Sequence, residues 1–131
     1  MKMRIIIIAF ALPFLFFVAC EKPAGEGGTS SITGKVFMTE YNVNGIIIAQ
    51  YYAAREDVFI VYGDNLIYDD RMETHHDGSY EFKYLRKGTY QIFAYSDCDT
   101  CAAPTQAILK QVETTENNQQ VVVDDLAIDK R

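Results

Sequence analysis

The sequence predicts an all-β fold, a single β-sandwich, on three observations. Between residues 31 and 128, short apolar or alternating runs follow one another with turn residues between them. Asp77-Gly78, with Asn44-Gly45 as a second candidate, is a hairpin dipeptide. No stretch after the first 20 residues reads as a convincing helix.

The chain opens with Lys2 and Arg4, then an apolar run from Ile5 to Ala19 broken only by Pro13, with a small residue just before Cys20. This is the pattern of a secretory signal peptide over residues 1–19, too short for a membrane span of ~20 residues. "FVAC" is similar to the lipobox of bacterial lipoproteins, in the looser Bacteroidetes-type form with Phe17 where Leu is usual. The resemblance implies that Cys20 becomes the first mature residue and carries diacylglycerol and an N-acyl chain such as palmitate. Three acyl chains at ~0.8 kcal/mol per buried CH₂ form a firm anchor, and the lipoprotein resemblance implies an outer-membrane location, on either its periplasmic or its surface face. Residues 20–30, CEKPAGEGGTS, lack periodicity and read as the lipidated cysteine and a flexible tether.

All 18 acidic residues follow Cys20, while two of the 12 basic ones precede it, so the mature chain carries 10 minus 18, or −8. That balance argues against nucleic acid or anionic lipid headgroups as partners. Residues 31–131, about 100 in number, suffice for one domain.

Seven strands follow in order. Residues 31–39 (SITGKVFMT) open the domain, and Val58–Tyr62 forms a fully apolar run ended by Gly63-Asp64-Asn65. Residues 66–76 lead to the Asp77-Gly78 turn. In SYEFKYL, alternation puts Tyr80, Phe82 and Tyr84 on one face. Residues 89–96 place Tyr90, Ile92 and Ala94 on a common face, and 105–113 form another strand. Residues 119–128 close the domain; Val121 and Val123 share one parity and Leu126 and Ile128 the other, which requires a bulge at Asp124-Asp125. The insert at 40–55 is either a hairpin with an extra strand from Ile46 to Tyr52 or an extended excursion along a sheet edge.

"ITGKV", "VFIVY" and "DGSYEFKYLRKGTYQIFAY" together resemble the carboxypeptidase regulatory-like domain. The resemblance implies a transthyretin-like, carbohydrate-binding-like seven-stranded Greek-key sandwich. The insert after the first strand departs from that pattern. The Lys–Asn isopeptide bond of related Gram-positive pilin domains would begin at Lys35, but there is no carboxylate near Ala94 and no Asn on the last strand.

With Cys20 assigned to lipid, Cys98 and Cys101 remain as a pair in an extracytoplasmic compartment where disulfides persist. Cys98 follows a strand and Pro104 disfavours a helix, so the low-pKa thiol of a redox enzyme has no basis here. A local disulfide is the leading reading. The alternative is a metal site, since His75 and His76 are expected at the same end of the sandwich as Cys98 and Cys101. Calcium through Asp64, Asp69 and Asp70, or Asp97 and Asp99, matches no EF-hand spacing. Adjacent histidines face opposite ways on a strand and lack a nucleophile motif, so catalysis is not expected. Tyr51, Tyr52 and Tyr68 are candidate sugar-stacking rings, and Ile46–Ile48 a candidate apolar edge for a protein partner. The expectation is therefore a non-enzymatic envelope lipoprotein, without cofactor, acting as an accessory binding or spacer module. A glycan-binding module is the first alternative and a metal-binding one the second.

Overall fold

The computed structural model describes residues 22–131. The signal peptide expected at 1–19 and Cys20 lie outside the described residues. Within them are nine strands and no helix long and apolar enough to cross a membrane. They are β1 Glu26–Tyr41, β2 Ile47–Tyr52, β3 Asp57–Tyr62, β4 Asp70–Glu73, β5 Ser79–Leu85, β6 Gly88–Asp97, β7 Thr105–Thr114, β8 Gln120–Val122 and β9 Leu126–Lys130.

Two sheets enclose one main core. The first is built on β1, with β5 antiparallel along its first half and β2 antiparallel along its second. β8 and β9 run parallel to β1 over the same two halves, at Ser31–Thr33 and Val36–Glu40. Each half of β1 thus has a partner on both edges. The second sheet has the order β4-β3-β6-β7. Alternation along β1 turns Ile32, Val36 and Met38 inward, against Val58, Ile60, Tyr90 and Ile92 of the other sheet.

The count of nine corrects the expected seven, for two reasons. Asn44-Gly45 does turn a hairpin: Asn42 accepts from the Asn44 and Ile46 amides at 2.9 and 3.0 Å, and Gly45 takes φ +76°, so the insert becomes β2. The closing segment breaks at Val123–Asp125, the expected irregularity, which lets Val123, Leu126 and Ile128 all reach the core. Two further expectations change. Tyr84 takes φ +59° and swings out to 71% exposure, which lets Leu85 fill the core instead. The tether expected through residue 30 is already strand from Glu26, because Tyr90 holds its base. The buried Tyr90 hydroxyl accepts from the Gly25 amide at 2.9 Å and donates to the Arg86 carbonyl at 2.6 Å.

Candidate binding surfaces

The β1–β2 hairpin projects an apolar edge. Ile46, Ile47 and Ile48 are 61%, 50% and 62% exposed, and Val43 at the tip is fully so. β2 lies at the edge of its sheet. The Ala53 amide donates to the Val36 carbonyl at 2.9 Å, and Met38 pairs with Tyr51. Alternation along that ladder leaves the main-chain groups of Gln50 and Tyr52 pointing outward and, among the described residues, unpaired. Residues 41–54 contain no charged side chain, whereas edge strands are ordinarily guarded by charge or proline. A register shift between Glu40 and Tyr41 bulges the strand near its start, so the regular part of the free edge lies toward Tyr52.

Tyr51 and Tyr52 are neighbours on β2 and face opposite ways, so they form no joint platform. The Tyr51 hydroxyl donates to Glu40, and that bond holds its pKa above the ordinary 10. Tyr52 donates to Asp125 at 3.0 Å, which raises its pKa likewise, and its ring meets Phe37 edge-on and the Lys35 ammonium at 4.7 Å.

Tyr68 belongs to a different surface, the outer face of the second sheet. It tilts against Phe59 at 4.9 Å between centroids; Phe59 stacks on Phe93 at 5.0 Å, and Tyr95 closes edge-on to both at 5.5 Å. Cross-strand register explains the cluster: Arg71, Phe59, Phe93 and Leu109 form one row across β4, β3, β6 and β7. Phe59 and Phe93 are buried beneath Tyr68 and Tyr95, which stay half-exposed. The outer face of the first sheet, by contrast, carries Thr33, Lys35, Glu81 and Lys83 and is largely polar. Phe93, Tyr95 and Leu109 were not among the expected site residues. The signal for them was there, since a strand that buries Tyr90, Ile92 and Ala94 must turn Phe93 and Tyr95 to the other side.

Cys98 and Cys101 are joined in a disulfide, with Cα atoms 5.5 Å apart, in an exposed loop between β6 and β7. The expected convergence with the histidines does not occur. His75 and His76 stand exposed in the turn before β5, docked at the level of Val36, whose amide donates to the Gly78 carbonyl. The cysteine loop is held near Tyr41 instead: Arg131 pairs with Asp99, donates its amide to Asp97 at 2.9 Å and lies 5.0 Å over the Tyr41 ring. Five residues of β1 separate the two levels, about 16 Å at strand rise. Among the described residues no group of three His, Cys, Asp or Glu could hold a metal, and the bonded sulfurs present no thiolates. Nor do the aspartates considered for calcium converge: Asp69 instead accepts from Asn65 at 2.8 Å and from the Tyr62 amide at 2.7 Å, closing the loop before β4.

No protein-family model matches the chain, and no curated protein matches it. Among solved structures it has a distant likeness to a Pseudomonas aeruginosa protein provisionally described as carbohydrate-binding. The TM-score is 0.48 at 15% identity, over 77% of this chain and 91% of that one.

Proposed function

We propose that this protein is a non-enzymatic binding module of the bacterial envelope, held at the outer membrane through lipidated Cys20 and engaging a protein partner by strand addition at β2. The observation that carries this reading is the exposed, charge-free edge of Ile46–Tyr52 with unpaired main-chain groups. Such an edge offers hydrogen bonds for affinity and alternate side chains for selectivity. The most reactive candidates elsewhere, the histidine pair and the cysteine pair, are far apart and engaged in a turn and a disulfide, which supports a module without catalysis.

The test is a photoactivatable residue placed at Ile47 or, as control, at Lys83 of β5, in cells expressing the full chain. A discrete adduct is expected from Ile47 alone. It should vanish in Gln50→Pro, which removes an outward N–H while leaving the ladder to β1 intact. Equal adducts at both positions, or none at either, would refute strand addition. A second reading is favoured by Tyr68 and Tyr95, half-exposed rings on a Phe59–Phe93 base with Arg71 beside them: a glycan stacking on this face. Glycan binding lost in Tyr95→Ala but kept in Gln50→Pro would select it over the first.

A further inference from the structure

A concavity of about 560 Å³ lies at the pole where the chain arrives from Cys20, against 310 to 320 Å³ for the grooves elsewhere. Lys22, Arg86 and Lys87 line it together with Glu113, Thr115 and Asn117. Its charge is three minus one, or +2, on a chain whose described residues carry 10 minus 17, or −7. Arg71, Lys83, Lys130 and Arg131 are each within 4.0 Å of a carboxylate; among the described residues Lys22, Arg86 and Lys87 are not, nor are Lys35, Arg55 and Lys110, which lie outside this cavity.

Arg86 is held in place rather than merely exposed. Its Nε donates to the Pro23 carbonyl at 2.8 Å, and its own carbonyl accepts from Tyr90 and Thr114. The guanidinium then lies over the glycines of "AGEGG". A Cβ at Gly25 would stand 2.9 Å from Nη2, and one at Gly27 3.4 Å from Nη1. The glycine-rich stretch, which resembles a mere tether in composition, thus makes room for a positioned guanidinium whose remaining N–H groups have no partner among the described residues.

We infer that this cavity binds a phosphate-bearing anion, with Arg86 as the two-pronged donor and Lys22 and Lys87 as flanking charges. A fixed guanidinium matches phosphate oxygens bidentately, and ammonium groups add point charge. The net charge that argues against anionic partners averages over the surface, whereas binding follows the local field. The phosphate belongs either to a lipid headgroup or to a soluble ligand. Lys22 is two residues from Cys20, at most ~7 Å of chain, so a lipidated Cys20 would bring headgroups within reach. The headgroup source rests on the proposed anchoring; the phosphate chemistry does not.

The test uses the full chain reconstituted in phosphatidylcholine vesicles, with lipid on Cys20 verified separately by mass spectrometry. Hydrogen exchange of residues 22–28, 86–88 and 113–117 is followed after adding inorganic phosphate, or with phosphatidylglycerol in the bilayer. Slowed exchange is expected in at least one arm, reversed by ~1 M salt, where screening acts within about 3 Å. Protection by phosphatidylglycerol alone identifies a headgroup, and protection by inorganic phosphate a soluble ligand. Lys87→Gln should weaken either effect roughly tenfold, as for one charge-assisted hydrogen bond, and Arg86→Lys should weaken it while keeping the charge. Unchanged exchange in both arms, or protection that survives Lys22→Gln/Lys87→Gln, would overturn the inference, whether or not Cys20 carries lipid.

Discussion

Tyr80 is where, among the described residues, the core holds a side-chain polar atom without a partner. Its ring is 1% exposed, sits 6.0 Å from Phe82, and takes the space a side chain at residue 34 would need: a Cβ on Gly34 would lie 2.4 Å from the hydroxyl. Removing an unsatisfied hydroxyl while keeping the ring relieves a desolvation cost, so Tyr80→Phe should stabilise the fold by about 1 kcal/mol, read as a higher urea midpoint at unchanged slope. The same burial pushes the Tyr80 phenol far above 10, while burial and then Glu26 push Tyr62 up to about 12. Both phenols stay neutral in the folded state at a pH where the unfolded chain ionises them. Their contribution is therefore whole below pH 10 and is lost as pH rises from 10 toward 12 and beyond. Unfolding at pH 9 and 11 should show that decline, and a shallower one in Tyr80→Phe.

At the level of elements, the hairpins were the most legible features and their neighbours the least. Asp77-Gly78 announces its turn, and the structure adds why Gly is needed: φ is +77°, and a Cβ would stand 2.7 Å from that of Tyr52, where the end of β2 meets the start of β5. Asp77 accepts from the Ser79 hydroxyl and amide, which holds its carboxyl below the usual range. Alternation predicted Tyr84 inward and failed, because one residue in left-handed conformation reverses parity without marking the composition. The basic pole and the Arg71–Phe59–Phe93–Leu109 row were not legible, since each joins residues distant in sequence through strand register. The cysteine pair was read correctly as a clip, and its energetic weight follows from loop length. A ring this short restricts the unfolded chain little, by about 2 kcal/mol at most. Cys98→Ser/Cys101→Ser should therefore still fold, with unfolding free energy lowered by no more than that and the transition still a single step. Loss of folding would mean that the exposed loop organises β6 and β7 more than its surroundings suggest.

On the scale of the molecule, β1 is the long axis on which the proposed functions are arranged. Its start carries the basic cavity, and its far end turns into the apolar hairpin. From Ser30 to Tyr41 the strand covers eleven steps, about 36 Å at strand rise. A lipid on Cys20, as proposed, would fix the first pole against the membrane, and Lys22, Arg86 and Lys87 would then be the cations facing it. The remaining acidic surface is repelled by anionic headgroups, so both charge and anchoring favour a molecule that stands upright with β2 offered outward. In reconstituted vesicles, a fluorophore at position 87 should be quenched by a bilayer-resident quencher and one at position 44 should not. Quenching at both positions would mean that the sandwich lies flat, with the isoleucine edge in contact with lipid. In that case Ile46–Ile48 would be a membrane-binding surface, and the strand-addition reading would lose the exposure on which it depends.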